Sequence, residues 1–247
     1  MKKKTIGITG GKGFLGRHMS QALRKAGFKI IYFDLPDNNL VHPSAGALKK
    51  FVKKSDVIIH AAAVNRGTDA EVIAGSIITT FNLAEAAWAN NRRVKIIFTS
   101  SVQAENDSVY GRSKRLAENL LEEIANKYGV KISIFRLTNV FGEGGRPYYN
   151  SVVSTFASEA ANGKKLPVND PQKTIRLLYV GEVVKELVKE VRAKRKQKLF
   201  LKRLDSKDEI SVGRLAELME GFARGAIKPG TKLEKILYKV YLSYTNA

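Results

Sequence analysis

A glycine-rich turn near the amino terminus constrains this chain more than any other feature. Gly10, Gly13 and Gly16 follow the apolar run 4–9 and open the amphipathic stretch 14–26. Glycines at this spacing, between a strand and a helix, permit a tight turn and a close approach of the backbone to a pyrophosphate. The free N–H groups at the start of the helix then face the anion. We therefore expect a dinucleotide site whose binding residues are Gly10, Gly13, Phe14, Leu15 and Gly16.

The remainder of the first half alternates short apolar runs with helical periodicity. Strands are predicted at 29–33, 57–61, 94–99 and 130–137, and helices at 45–53, 69–89 and 110–127. Gly75 and Ser76 interrupt the second of these helices and leave its continuity open. Continuous apolar strands that alternate with helices are typical of βαβ units around a buried parallel sheet. The predicted fold class is α/β, a Rossmann-type doubly wound parallel sheet with a small carboxyl-terminal substrate-binding lobe.

A cluster of glycines with a proline at 142–147 marks a change of pattern. Beyond it, helices are predicted at 150–162, 181–194, 211–223 and 231–241, and a strand at 175–180. We predict a dinucleotide-binding domain over 1–142 and a smaller substrate lobe over 143–247, with some segments of the lobe returning to the main sheet.

The charge of the chain is strongly positive. Its 247 residues include 43 Lys and Arg against 23 Asp and Glu, a net charge of +20, and the stretch 189–203 holds eight basic residues and one Glu. A basic surface attracts nucleotides, nucleic acids and acidic lipids. Because no nucleic-acid module accompanies the charge, no specific nucleic-acid partner is predicted.

The composition also excludes several classes of site. Without cysteine there is no disulfide, no thiol nucleophile and no zinc–thiolate site. The three histidines are widely spaced, so no metal site is predicted. No apolar run reaches the length of a membrane span, and the start of the chain does not resemble a signal peptide. We expect a cytoplasmic protein.

Asp34 ends the second predicted strand, 18 residues after Gly16. A carboxylate at this place accepts hydrogen bonds from the adenosine ribose and repels a 2′-phosphate. Asp34 therefore favours NAD(H) as the cofactor. NADP(H) is the alternative, because Lys12 and Arg17 lie near the turn and could reach a phosphate.

Tyr110 and Lys114 are four residues apart at the start of a predicted helix and so share one face. A free tyrosine has a pKa near 10, and a neighbouring ammonium group stabilises its phenolate. Such a pair can exchange a proton with a carbinol oxygen while hydride moves at carbon. Ser101 closes the preceding strand, where its hydroxyl can orient that oxygen. The predicted catalytic residues are Ser101, Tyr110 and Lys114.

These motifs resemble the extended short-chain dehydrogenase/reductase superfamily, which acts mainly on nucleotide sugars. The resemblance rests on TGGKGFLG at 9–16, DVIIHAAA at 56–63, FTSS at 98–101, YGRSK at 110–114 and RLTNVFG at 136–142. It implies cofactor contacts at Ala61, Ala62 and Ala63 as well as at Tyr110 and Lys114. It also implies sugar-nucleotide contacts at Asn139, Asn150 and Arg66, and a homodimer formed through the helices at 69–89 and 110–127.

A second, narrower resemblance rests on three features of the sequence. They are AVNR at 63–66, the nine-residue spacing from Ser101 to Tyr110, and NVFGEGGRPYYNSVV at 139–153. It is to the reductase branch of capsule-synthesis enzymes, which reduces a 4-keto UDP-6-deoxy sugar on the way to UDP-N-acetyl-L-fucosamine. That branch uses NADPH and carries a C-terminal cupin domain for epimerisation. The present sequence has no counterpart of the cupin, so we expect either a separate epimerising partner or a simpler reaction.

The two residues directly after Ser101 narrow the choice of reaction. A 4,6-dehydratase of this superfamily needs an acid–base pair there, and Val102 and Gln103 cannot supply it. Reduction of a 4-keto-6-deoxy nucleotide sugar for surface-polysaccharide synthesis is the leading interpretation. The alternative is a 4-epimerase with tightly bound NAD, which Asp34 suits. A non-catalytic cofactor-binding subunit is a third hypothesis, disfavoured by the intact Ser–Tyr–Lys set.

Overall fold

The computed structural model describes residues 3–90 and 94–245. The chain divides into two compact units. Unit 1 comprises Met1–Leu137 and Val184–Leu204, and unit 2 comprises Thr138–Val183 and Asp205–Ala247.

The strands and helices alternate through most of the chain. In order, the strands are β1 Thr5–Thr9, β2 Lys29–Phe33, β3 Val57–His60, β4 Lys95–Ser101, β5 Ile132–Leu137, β6 Val140–Phe141, β7 Thr174–Arg176, β8 Leu178–Tyr179, β9 Leu199–Leu204 and β10 Glu209–Ser211. The α-helices are α1 Phe14–Lys25, α2 Ala45–Lys54, α3 Asp69–Ile73, α4 Thr79–Ala89, α5 Val109–Tyr128, α6 Val152–Ala161, α7 Val180–Arg192, α8 Val212–Ala223 and α9 Lys232–Thr245.

Unit 1 is built on a six-stranded parallel sheet with the strand order β2-β1-β3-β4-β5-β9. Its central strands are apolar on both faces because helices cover both sides, and Ile6, Ile58, Ile96 and Ile134 are completely or almost completely buried. The predicted α/β class with a parallel Rossmann-type sheet is confirmed. The strands end together at one edge of the sheet, which gathers the residues that follow β1, β2, β3 and β4.

The helical stretch predicted at 69–89 is continuous, and a π-helical turn over Ala74–Ile78 joins α3 to α4. π-Helical turns inside α-helices often lie at functional sites. Within the described residues, Asp69–Ala89 is the one helix long and apolar enough to cross a membrane by length and composition. About 44% of its apolar window is buried, and core helices of globular proteins pass the same test.

The structure corrects one predicted strand and adds one that the sequence did not predict. The strand predicted at 175–180 is two strands, because β7 pairs with β10 while β8 pairs with β6, and the N–H of Leu177 between them donates to the carbonyl of Asp208. The basic stretch 189–203 contains β9, which the sequence reading missed. The lysines and arginines around it conceal a strand that only its pairing with β5 reveals.

Unit 2 has its own apolar core, formed by α6, α8 and α9 with the short sheets β10-β7 and β6-β8. Phe156, Leu215, Met219, Leu237 and Val240 are almost fully buried there. Serine caps begin two of these helices, since Ser151 accepts from the N–H of Ser154 and Ser211 from that of Arg214.

Candidate active site

The glycine-rich turn between β1 and α1 is too tight for any larger residue. Gly10 has a φ of 72°, and its carbonyl accepts the N–H of Gly13 at 3.1 Å. A Cβ on Gly16 would lie 2.1 Å from the carbonyl oxygen of Gly10, and a Cβ on Gly10 would lie 2.6 Å from the backbone nitrogen of Ala62. The turn therefore packs backbone against backbone, both within itself and against the end of β3.

The start of α1 has no side-chain cap, a feature that it shares with α2. Its N-cap, Gly13, provides no side-chain hydrogen bond, and the first turn contains no acidic residue. By contrast, α5, α6 and α8 begin with serine caps. An uncapped helix start offers N–H donors and a partial positive charge to an anion. The close-packed glycines and the uncapped helix start fit the pyrophosphate of a dinucleotide.

Asp34 is held against this turn. One carboxylate oxygen accepts the backbone N–H of Lys12 at 2.8 Å, and the other accepts the N–H of Leu35 at 3.2 Å. The Lys12 ammonium group donates to the carbonyl of Leu35 at 2.8 Å. Sequence reasoning assigned Asp34 to the ribose and missed this clamp between β2 and the turn. A ribose contact by Asp34 stays a prediction.

The Ala61–Ala63 segment comes directly after β3. The N–H of Ala61 donates to the carbonyl of Thr9, and the N–H of Ala62 reaches the Thr9 hydroxyl at 3.4 Å. A Cβ on Gly10 would meet the backbone of Ala61 and Ala62, so the glycine at position 10 lets the turn pack against this segment. The role of the three alanines in cofactor binding stays a prediction.

Ser101 is the last residue of β4, and α5 begins eight residues later. The Ser101 hydroxyl accepts the N–H of Gln103 at 3.1 Å and so caps the 3₁₀ turn Val102–Glu105. Ser108 caps α5 by accepting the N–H of Gly111. A Cβ on Gly111 would lie 2.3 Å from the carbonyl of Gln103, so this glycine lets the first turn of α5 pack closely on the 3₁₀ turn.

Lys114 is buried one helical turn after Tyr110. Its ammonium group donates to the carbonyl of Thr99 at 3.2 Å and lies 4.7 Å from the ring centre of Phe98 and 5.8 Å from that of Tyr110. Burial lowers the pKa of Lys114 to about 8, although the charge of Glu118 acts in the opposite direction. The ammonium group is thus fixed close to the Tyr110 ring, and its pKa lies below that of an exposed lysine.

Glu118 continues the same helical face and anchors α5 to two strands. Its carboxylate accepts the Ser100 hydroxyl at 2.5 Å and binds the Arg136 guanidinium with both oxygens, at 2.6 to 3.1 Å. Glu118 is almost fully buried. Sequence reasoning missed this cluster, although the spacing of four between Tyr110, Lys114 and Glu118 was a usable signal.

His60 forms the centre of a buried hydrogen-bonded chain that sequence reasoning also missed. Its Nδ1 lies 2.7 Å from the Thr9 hydroxyl and its Nε2 lies 3.1 Å from the Thr80 hydroxyl. The Thr80 hydroxyl donates its single proton to the carbonyl of Ser76 at 2.6 Å, so it accepts from Nε2–H. Thr9 then donates to Nδ1. Burial lowers the pKa of His60 to about 3, and the Lys114 charge acts in the same direction.

This chain of hydrogen bonds ends at the π-helical turn. Ser76 lies in that turn and is 1% exposed, and among the described residues its hydroxyl has no hydrogen-bond partner. One buried polar region of unit 1 thus includes the π-helical turn, the end of β3 and the residues around Lys114.

The residues predicted to contact the sugar nucleotide are divided between the units. Arg66 is exposed between β3 and α3 in unit 1. The side-chain amide of Asn139 in unit 2 donates to the backbone carbonyl of Arg176 at 3.3 Å, and the backbone carbonyl of Asn139 accepts the N–H of Leu178. Asn150 is exposed just before the Ser151 cap of α6. Their substrate contacts stay predictions.

A parallel α/β sheet with a glycine-rich turn after its first strand is typical of dinucleotide-binding proteins, and sequence comparison identifies the family. The NAD dependent epimerase/dehydratase family matches residues 6–200, so the chain belongs to that family. This confirms the superfamily resemblance derived from the motifs.

Known relatives and solved structures agree with this assignment. The UDP-2-acetamido-2,6-beta-L-arabino-hexul-4-ose reductase of Pseudomonas aeruginosa is 34% identical over 244 residues, which cover 96% of this chain and 64% of that protein. The capsular polysaccharide assembling protein CapF of Staphylococcus aureus aligns with a TM-score of 0.77 at 28% identity, over 97% of this chain and 64% of CapF. The chain thus spans less than two thirds of either relative.

A UDP-glucose 4-epimerase structure from Thermotoga maritima aligns with a TM-score of 0.84 at 20% identity, over 98% of each chain. This match supports the fold alone.

Proposed function

We propose that the chain is an NAD(P)-dependent oxidoreductase that reduces the 4-keto group of a nucleotide-diphosphate 6-deoxy sugar in surface-polysaccharide synthesis. The observation that carries the proposal is the buried Lys114 ammonium group, 5.8 Å from the ring of Tyr110 and beside the end of β4 that carries Ser101. The 34% identity to a UDP-sugar reductase supports the choice of substrate class.

Each residue has a defined task in this reaction. A reduced nicotinamide, when bound, would supply the hydride for this reduction. Tyr110 donates its phenolic proton to the oxygen on C4, and Ser101 donates a hydrogen bond to the same oxygen. Lys114 holds a positive charge near the phenol ring, which stabilises the phenolate that remains. Asn139, Asn150 and Arg66 contact the nucleotide sugar.

The glycine turn and Asp34 are the residues that would hold the cofactor. The N–H groups of Phe14 and Leu15 bind the pyrophosphate, and Asp34 accepts hydrogen bonds from the adenosine ribose. We favour NAD(H), because the Asp34 carboxylate is held at the turn and repels a 2′-phosphate. The Lys12 side chain points to the carbonyl of Leu35 and lies 3.9 Å from Asp37.

A 4-epimerase with retained NAD is the second candidate. Asp34 supports it, as does a putative UDP-glucose 4-epimerase of Methanocaldococcus jannaschii that is 26% identical over 97% of this chain and 90% of its own length. An epimerase needs the same tyrosine and lysine but consumes no external cofactor.

The deciding experiment identifies cofactor released from freshly purified protein by mass spectrometry and titrates the protein with NADH and NADPH. A reductase oxidises added NADH stoichiometrically with a UDP-4-keto-6-deoxy sugar. An epimerase retains NAD and interconverts UDP-sugars without added cofactor. Preference for NADPH would overturn the role of Asp34.

Tyr110→Phe tests the catalytic assignment in either case. We expect turnover to fall by about 10² to 10⁴-fold with cofactor affinity unchanged. Tyr128→Phe, at the other end of α5, is the matched control and should retain activity. Unchanged turnover in Tyr110→Phe would contradict the mechanism.

A homodimer formed through α3, α4 and α5 is part of the proposal. These helices and the π-helical turn expose Ile73, Ile78, Phe81, Val109 and Leu116, each between 37% and 52% accessible. Val109 and Leu116 are seven residues apart and so share one face of α5. Light scattering should show a dimer, and Phe81→Lys with Leu116→Lys should yield monomers. We place the protein in the cytoplasm, where nucleotide sugars are made.

A further inference from the structure

The edge of the unit 1 sheet opposite the candidate active site is lined with lysine. Parallel strands all begin at one edge, and across this sheet almost every strand begins at or directly after a lysine. In spatial order these residues are Lys29, Lys4, Lys95, Lys131 and Lys198, and β3 alone follows an acid, Asp56. Six strands spaced by about 4.8 Å make this edge about 24 Å wide.

The helices that return between the strands end at this same edge and add more basic residues. The last turns of α1, α2, α5 and α7 contain Arg24, Lys25, Lys53, Lys54, Lys127, Lys189 and Arg192. Cations at helix C-termini are favoured by the helix dipole. That effect does not account for the strand starts, nor for Lys194, Lys196 and Lys198 in the loop before β9. We call this whole surface the amino edge.

Few carboxylates oppose this charge. Glu190 is buried, and its carboxylate forms ion pairs with Lys95 and Arg195. Asp56 accepts the N–H of Thr5. Glu122 and Glu123 lie in the later turns of α5. The remaining lysines of the amino edge are exposed, and in the described part of the chain these make no ion pair: Lys25, Lys29, Lys53, Lys54, Lys127, Lys194, Lys196 and Lys198.

An aromatic pair lies within the amino edge. Trp88 in the last turn of α4 stacks on Tyr128, the last residue of α5, with ring centres 4.2 Å apart and planes at 6°. Tyr128 is 43% exposed, and the Lys127 ammonium group lies 5.4 Å from its ring centre. Tryptophan and tyrosine rings are enriched at the water–lipid interface of membrane proteins.

We propose that the amino edge docks unit 1 on an anionic membrane leaflet. The charge is spread over a broad surface, which suits a plane of acidic headgroups. The described part of this surface consists of helix ends and strand starts, and within it no helix or ribbon stands out that could enter a nucleic-acid groove. The cofactor turn and Tyr110 lie at the opposite edge, so a docked unit 1 keeps them away from the lipid.

The single tryptophan makes docking measurable. The protein is mixed with vesicles of phosphatidylcholine alone or with added phosphatidylglycerol, at physiological ionic strength. Binding is measured by flotation and by Trp88 emission. We expect binding and a blue shift only with phosphatidylglycerol. Absence of binding to the anionic vesicles would overturn the proposal.

Two triple variants that change the net charge by the same amount distinguish binding through the amino edge from a general effect of net charge. Lys29→Glu, Lys54→Glu and Lys198→Glu change the amino edge, while Lys173→Glu, Lys207→Glu and Lys228→Glu change lysines of unit 2. We expect the first to bind anionic vesicles at least about tenfold more weakly and the second to change little. Equal losses in both would contradict a docking surface.

Two further measurements complete the test. NADH affinity unchanged in the amino-edge variant shows that it is folded and that docking is separate from the proposed function. A duplex DNA or single-stranded RNA oligonucleotide that binds the amino edge more tightly than vesicles do, and displaces them, would assign the surface to nucleic acid and overturn the proposal.

Discussion

The two edges of the unit 1 sheet differ in how their charged side chains are arranged. We call the edge at which the strands end, opposite the amino edge, the carboxyl edge. At the carboxyl edge, Lys114, Glu118 and His60 are buried, and each is held by specific partners. At the amino edge, lysines such as Lys29, Lys54 and Lys198 are exposed and make no ion pair among the described residues. Desolvation makes a buried charge depend on its neighbours, whereas solvent and salt screen an exposed one.

This difference shows that the net charge of +20 does not come from the buried cluster. Lys114, Glu118 and His60 are few and buried, and they contribute little to the net charge. The exposed lysines of the amino edge lie at the other ends of the strands. Substitutions at the two edges should therefore differ in both size and kind.

The largest expected effect at the carboxyl edge comes from removing the Glu118 carboxylate. Glu118→Ala leaves the Ser100 hydroxyl without its acceptor and leaves Arg136 with Glu105 alone, and we expect a loss of about 3 kcal/mol in the free energy of unfolding, measured with urea. Glu105→Ala is the control. That carboxylate also binds Arg136 but is 45% exposed, and its loss should cost about 1 kcal/mol or less.

Glu118→Gln tests the electrostatic part of this effect. The Glu118 charge raises the pKa of Lys114, so its removal should shift the basic limb of the pH–rate profile to lower pH. A profile that coincides with that of the native protein would show that Glu118 acts only as an anchor.

Two glycines of unit 1 differ sharply in the space around them. A Cβ at Gly16 would lie 2.1 Å from the carbonyl oxygen of Gly10, whereas a Cβ at Gly46 in α2 would meet nothing within 4 Å. We expect Gly16→Ala to lose about 3 kcal/mol of stability and its NADH binding by titration. Gly46→Ala should gain up to about 1 kcal/mol. Retained NADH affinity in Gly16→Ala would contradict the role of the turn.

The lowered pKa of His60 leads us to expect that the protein loses stability as the pH falls. Its folded pKa of about 3 lies below the ordinary 6.5, so below pH 6.5 the unfolded chain takes up a proton that the native protein does not bind. Stability should therefore fall with decreasing pH, by about 2 kcal/mol at pH 5 from this residue. The slope between pH 7 and 5, from urea unfolding, should become shallower in His60→Gln and stay unchanged in His42→Gln, whose side chain is exposed.

The smallest effect is expected at the amino edge. Lys29→Gln, Lys54→Gln and Lys198→Gln should each change the free energy of unfolding by less than about 0.5 kcal/mol, because these side chains are exposed and bind no carboxylate of the described chain. Losses of more than about 1 kcal/mol for any of them would show that the amino edge carries structural interactions.

The sequence by itself determined the features that depend on near neighbours. The βαβ alternation, the glycine turn and the spacing of Tyr110 and Lys114 are local patterns, because strand and helix periodicity extend over only a few residues. The family match and the parallel sheet confirm the superfamily resemblance and the fold class, while the roles of the turn and of Tyr110 and Lys114 stay predictions.

Only the tertiary structure decided the rest, because it depends on segments that are distant in the chain. β9 became a strand through pairing with β5, and the predicted strand at 175–180 divided because its halves have different partners. The His60 chain joins β1, β3 and α4, and Glu118 joins α5 to β4 and β5. The amino edge exists because parallel strands begin together, which places lysines far apart in sequence on one surface.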